Sequence, residues 1–197
     1  MAIQLLPERI SLPPEPRISS ARTPAGYLVQ VLILAAVCAA GVFAGIQTNG
    51  GATVAPMWPP TGIAIAGLLI LGPGYWPGVT AGVMLALLGS GHGMERALCA
   101  TTQTTLEALI PALALHRMGW KDASFERLRD VIRYLAVAAL GGPLIGTGFY
   151  AGYLAWHADT YSVTAPLLLA IFLGSFTSMV LLGPFLMTWL GPRPSLP

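Results

Sequence analysis

The sequence predicts an all-α, polytopic bundle of about six transmembrane helices with both termini cytoplasmic. Three observations carry that prediction: a scarcity of charge, six separated apolar stretches, and basic residues sorted to alternate loops. Hydrophobic residues make up 55% of the 197 positions and charged residues only 9%. A soluble domain carries roughly 25% charged residues, so this chain lacks the surface a water-facing fold requires and lipid must cover most of it. A soluble catalytic domain is thereby excluded. The formal net charge of +2 gives no case for nucleic acid.

Residues 1–26 read as a polar cytoplasmic arm containing Pro7, Pro13, Pro14, Pro16 and Pro24 with Arg9, Arg17 and Arg22. The apolar run that follows starts too late and lasts too long for a cleaved secretory signal, whose apolar core is about 7–15 residues. It is read as an uncleaved first span. The apolar stretches cover 27–46, 59–72, 76–91, 97–116, 131–156 and 165–190, and residues 191–197 form a short cytoplasmic tail. A span needs about 20 apolar residues. The first, fourth, fifth and sixth satisfy this. The second and third are short and are parted by Gly72, Pro73 and Gly74, so they are either two short spans or a tilted, broken pair.

Charge decides between these. Cytoplasmic loops are enriched in Lys and Arg near span ends. With the N-terminus inside and six crossings, the inner segments hold Arg9, Arg17, Arg22, Arg117, Lys121, Arg127, Arg129, Arg133 and Arg193, and the outer loops hold only Arg96. Five crossings would put the 117–133 cluster outside. Six is therefore the reading adopted.

Smaller features follow the same plan. Tyr27, Trp58, Tyr75, Trp76, Trp156 and Trp189 stand at predicted span ends, where aromatic rings anchor at headgroup depth. Gly41/Gly45, Gly78/Gly82, Gly142/Gly146 and Gly148/Gly152 form GxxxG pairs, which let helices approach closely in lipid. Either internal packing or a partner surface fits them. Pro143 and Pro166 should kink or start helices. Cys38 and Cys99 lack CxxC or CxxH neighbours and read as small buried hydrophobes.

Glu107 is the most informative position. It falls near the middle of the fourth span, where a charge costs at least a few kcal/mol. Gln103, at i−4, and Thr104, at i−3, share its helix face. That face must look into the bundle or a wet cavity. Glu107 either binds a ligand or titrates, or it is simply a carboxyl hydrogen-bonded to a neighbouring helix. Trp58, Pro59, Pro60, Thr61 and Gly62 open the second span. Proline suits a first helical turn, and the exposed N–H groups beyond it would favour an anion near the outer surface. The rival reading is a plain cap with an aromatic anchor.

His92 and Glu95, with His157 and Asp159, stand in two outer loops. Arg96 adjoins Glu95 and no HxxxH pair supports them, so no metal site is assigned. His116 is read as interfacial. The run 117–133 mixes signs and reads as a solvated inner loop touching anionic lipid, or as a docking site for a cytoplasmic partner. No GxSxG, HExxH or P-loop pattern occurs, and no enzyme is expected. No motif names a cofactor.

The run Val54 to Ala64 (VAPMWPPTGIA), then Leu68 to Gly72 and Tyr75 to Gly78, resembles the first membrane-associated sensor domain family. Thr104 to Leu109 (TTLEAL), Leu128 to Val131 (LRDV), Leu173-Gly174 and Leu181 to Pro184 (LLGP) extend the resemblance across about residues 27–190. The resemblance implies the multi-span sensory module of bacterial histidine kinases and diguanylate cyclases, in the inner membrane. Thr104 stands where that family usually has Asn, and Ser175 where it has Asp. The family typically has about eight spans followed by a signalling domain, whereas six and no output domain are expected here.

The leading expectation is thus a sensor-like binding and interaction module without catalytic output. A ligand or partner would engage Glu107, Gln103, Thr104 and the Trp58–Gly62 helix start, and relay through helix repacking. The alternative is a structural accessory subunit of a larger membrane complex. A small transporter ranks last, because the loops show no inverted repeat. The implied partners are the bilayer and a protein in the membrane or at its cytoplasmic face; a small-molecule ligand is compatible, and nucleic acid is not expected.

Overall fold

The computed structural model describes residues 23–48, 57–120, 125, 127–157 and 164–191. All regular structure among them is helical. Six helices follow one another: α1 (Pro24–Thr48), α2 (Pro59–Leu71), α3 (Trp76–Gly89), α4 (Met94–Arg117), α5 (Leu128–Trp156) and α6 (Ala165–Leu190). A single 3-10 turn at Pro73–Tyr75 joins α2 to α3. The bounds match the six apolar stretches closely. The first helix begins at Pro24, inside the segment read as an arm, and α5 takes in Leu128 to Asp130 from the run read as a loop. Of the charged positions assigned to the arm, inner loop and tail, Arg9, Arg17, Arg22, Lys121 and Arg193 lie outside the described residues.

Four helices, α1, α4, α5 and α6, are long and apolar enough to cross a bilayer. The 13 residues of α2 and the 14 of α3 reach only about 20 Å at about 1.5 Å per residue, short of a hydrocarbon core of about 30 Å. They survive because other helices, not lipid, surround much of them. α2 is buried at Pro59, Pro60, Thr61, Gly62, Ala64, Ile65, Ala66 and Leu68, and a helix apolar all round belongs inside a bundle. It packs on α1, α4 and α6, whereas α3 lies chiefly on α1 and α4 and barely meets α2.

Contacts fix the direction of every helix. Gly41 of α1 lies against Pro60 and Ile63, and Leu34 against Gly67, so α1 and α2 are antiparallel. Gly78 lies against Val31 and Leu34, and Gly82 against Ala35, so α3 runs with α1. Thr80 meets Thr105 and Met84 meets Thr101, so α4 reverses again. Glu107 meets Gly146 in the middle and Glu95 meets Tyr153 at one end, which reverses α5. The Tyr134 hydroxyl donates to the Met179 carbonyl at 2.7 Å and lies against Gly183, while Gly142 faces Met179, which turns α6 back. The Tyr27 hydroxyl bonds the Gly74 carbonyl at 3.0 Å, placing the α2–α3 turn at the α1 start. Arg117, Arg127, Arg129 and Arg133 therefore share one end of the bundle and Arg96 occupies the other.

Prolines shape three helices. Pro166 starts α6 in its first turn, as expected. Pro143 lacks the N–H for its own turn and its ring crowds the carbonyl four residues back; immediately before it, Leu135–Gly141 widens into a π-helix. Pro111 sits inside α4 and Pro184 inside α6. By the same loss of a donor, Pro111 leaves the Glu107 carbonyl without its helical partner.

Three sequence readings need correction. Trp58 is no headgroup anchor: it bonds Thr104, which lies about 15 Å along α4 from Met94 at about 1.5 Å per residue. Tyr75 is buried at 1% exposure, donating its hydroxyl to Gln30 Oε1 and packing on Tyr27. Nor are all the described residues of the run after α4 solvated. Trp120 is buried, and Phe125 and Tyr134 close around it with ring centroids 5.6 and 6.2 Å away. Trp76, Trp156 and Trp189 are exposed at helix ends, as anchors require.

Candidate functional site: a buried polar seam at mid-depth

Three helices, α2, α4 and α6, bring polar side chains to one depth, and α5 makes room for them. Glu107 on α4 is fully buried. The Gln103 amide, one turn before it, donates to Oε1 at 2.9 Å. The Ser175 hydroxyl of α6 donates to Oε2 at 2.9 Å. The carboxyl thus accepts from neutral donors on two helices, and no ion pair to it forms among the described residues.

A third helix shapes the space. A Cβ on Gly146 of α5 would overlap the Glu107 carboxyl, and one on Gly142 would stand 2.6 Å from the Glu107 carbonyl oxygen. The Gly142/Gly146 pair therefore serves to admit a carboxylate and the carbonyl that Pro111 leaves open. Here the GxxxG spacing makes room for a polar side chain, where such pairs usually let backbones meet.

The start of α2 completes the seam. The Trp58 indole donates to Thr104 Oγ1 at 3.2 Å, and its backbone N–H donates to the Gly174 carbonyl at 3.0 Å. Thr61 donates its hydroxyl to the Trp58 carbonyl at 2.9 Å. The Gly62 N–H donates to Ser178 Oγ at 3.1 Å, and the same hydroxyl reaches the Pro59 carbonyl at 3.3 Å. Of the two readings of this helix start, a capped end fits and an open, anion-attracting end does not. Pro59, Pro60, Thr61 and Gly62 are all buried, and Ser178 already occupies the N–H that an outside anion would use.

Of the eight residues expected at the site, Gln103, Thr104 and Glu107 share one face of α4, Trp58 bonds Thr104, Thr61 bonds the Trp58 carbonyl and Gly62 bonds Ser178, while Pro59 and Pro60 also lie against Gly45 and Gly41 of α1. Sequence reading did not assign Ser178, which caps α2, or Gly142 and Gly146 a role beside Glu107. Ser175 entered only as a departure from the family's Asp. The available signal was Ser175 and Ser178 standing three apart on one face of a largely apolar, uncharged helix. A carboxylate at 175 would face that of Glu107, whereas the hydroxyl supplies a donor.

The remaining glycine pairs divide. Gly41 and Gly45 seat the α2 start, meeting Ile63, Pro59 and Trp58. Gly78 and Gly82 lie on the α1 backbone. A Cβ on Gly148 or Gly152 would meet nothing within 4 Å among the described residues. At the Arg96 end, His157 Nε2 stands 2.6 Å from Glu95 Oε1. His92 is exposed, and so is His116 at the other end of α4. Asp159 lies outside the described residues, among which no group of metal-ligating side chains gathers.

The MASE1 family model matches residues 27–195. No curated protein and no solved structure matches the chain.

Proposed function

Since this chain belongs to the MASE1 family of membrane-associated sensor domains, we propose that it is a binding and interaction module whose polar seam around Glu107 responds to a ligand or partner and acts on another chain. The observation that carries this reading is the sharing of one carboxyl by α4, α5 and α6. Glu107 is held from α6 by Ser175, from its own helix by Gln103, and by contact with Gly146 of α5. Trp58 ties α2 to α4 and α6 within the same layer. In lipid, each such hydrogen bond is worth about 0.6–2 kcal/mol. A state in which they are exchanged for bonds to a ligand differs in energy by only a few of these, and a ligand shifts helices by its preference for one state.

The basic end of the bundle, with Arg117, Arg127, Arg129 and Arg133, is the cytoplasmic end in this reading. The setting is a bacterial inner membrane, and the seam relays its response to a partner chain. The second reading, a structural accessory subunit, is favoured by the closed hydrogen bonding of Glu107, which needs no added ligand.

Glu107→Gln and Ser175→Ala in native membranes separate the two. The sensor reading expects the complex with its partner to keep its size while the partner's output changes. The structural reading expects loss of assembly. Variants that alter neither output, nor assembly, nor thermal stability would remove both readings.

A further inference from the structure

We propose that Glu107 is a proton-binding site: in the closed seam it is a neutral carboxylic acid that donates its O–H from Oε2 to Ser175 Oγ. The regulatory consequence rests on the sensor reading above; the proton itself rests on the surroundings of the carboxyl. No positive charge stands near it among the described residues. α2, α3 and α6 carry no charged side chain. On α4 the charged or titrating neighbours are Glu95, Arg96, His116 and Arg117, and on α5 they are Arg129, Asp130, Arg133 and, just past its end, His157. The nearest along the chain of α4, His116, is about 13 Å away at about 1.5 Å per residue, whereas an ion pair needs about 4 Å. A fully buried carboxylate is tolerated only where a cation or a shell of donors replaces the water it has lost.

Donors are scarce as well. An ionised carboxylate offers about four acceptor sites, and the bonds to it come from Gln103 Nε2 and Ser175 Oγ, each at 2.9 Å. The α5 surface opposite is Gly146, which has no side chain to donate. Thr147, the next residue, has a buried hydroxyl that bonds nothing, so α5 does not turn that donor onto the carboxyl. The Glu107 carbonyl, left open by Pro111, faces Gly142 on the same helix and adds an acceptor, not a donor. A carboxylic acid suits this set. Its carbonyl oxygen accepts from Gln103, and its O–H donates to the Ser175 hydroxyl, which accepts as readily as it donates. The contact with Ser175 is kept while the charge is removed.

A glutamate in water is ionised above about pH 4.3. A carboxyl that keeps its proton inside the seam and gives it up in water couples the two states to the proton: closing binds one, and opening to water or to a cationic group releases it. Rising pH therefore favours the open seam, and a cation is the class of ligand that can take the proton's place.

The test is the infrared spectrum of the full chain in nanodiscs of ether-linked lipids, which have no ester carbonyl, at about pH 7. Exposed carboxyls are ionised there, so a carboxylic acid C=O band is expected from Glu107. Glu107→Gln should remove the band and Glu95→Gln should leave it. Gln103→Leu and Ser175→Ala should each keep it and raise its frequency, because each deletes one bond to the group. Labelling the glutamate carboxyls with the heavy carbon isotope should lower the native frequency, a check that needs no variant to fold. No such band in the native chain, a band that ignores the label, or one that survives Glu107→Gln would overturn the proton site. The spectrum is taken without a partner. A band lost in Glu107→Gln while partner output ignores that substitution would sustain the proton site and remove the sensor reading; altered output with no native band would do the reverse.

Discussion

Two glycine seams in this bundle look alike in sequence and differ in what they hold. Gly78 and Gly82 bring α3 onto the backbone of α1, where the Val31 and Ala35 carbonyls and the Leu34 side chain fill the space. Gly142 and Gly146 bring α5 onto Glu107, whose far end is tied to Gln103 and Ser175. The first seam is dry and its neighbour is main chain. The second is polar: Gly142 meets the Glu107 carbonyl, and Gly146 meets a side chain with rotamers to choose from. The same four-residue spacing therefore builds a fixed scaffold on one side of the molecule and an adjustable seat on the other. A spacing motif reports how close helices come, and the residue opposite decides whether that contact can move.

The largest expected effect breaks the scaffold. Gly82→Ala would drive a methyl into the Ala35 backbone, which cannot turn aside, and should cost about 3 kcal/mol, the upper part of the range for overpacking. Thermal unfolding in detergent would read it. Gly146→Ala meets a side chain instead. It should cost about 2 kcal/mol and displace Glu107, changing partner output where Gly82→Ala at permissive temperature does not.

Ser175→Ala keeps the seat's shape but removes one donor, leaving Oε2 unpaired, for about 1 kcal/mol. Trp58→Phe removes only the bond to Thr104 and should cost about 0.6 kcal/mol. Gly148→Ala and Gly152→Ala face open space and should stay within about 0.5 kcal/mol in thermal scans. A large loss there would mean that another molecule packs on that face of α5.

The helices were legible because each is a run of apolar residues bounded by Pro, Gly or charge, and lipid enforces that pattern strongly. The alternation of six helices was legible in the charges: Arg96 does lie at the end opposite to Arg117, Arg127, Arg129 and Arg133, although only four of the helices are long enough to cross a bilayer. Glu107 announced itself by its cost, and Gln103 by its four-residue offset. What could not be read was which helices meet. Periodicity places Ser175 and Ser178 on one face of α6 but does not say that the first serves Glu107 and the second caps α2. Trp58 was misplaced for the same reason. An aromatic residue at the start of an apolar run suggests an interface, whereas α2 begins deep inside because it is short and surrounded. The burial of Trp120 likewise depends on Phe125 and Tyr134 folding over it, which no local pattern in the 117–133 run encodes.

The claim on which the account depends is that the Glu107 side chain occupies the space opposite Gly146. The most direct measurement is a double-mutant cycle of Gly146→Ala and Glu107→Ala, read as thermal stability in nanodiscs. With the carboxyl gone, the added methyl has room, so the pair should cost at least about 1 kcal/mol less than the sum of the two single changes. Costs that simply add would place Glu107 elsewhere and contradict the site.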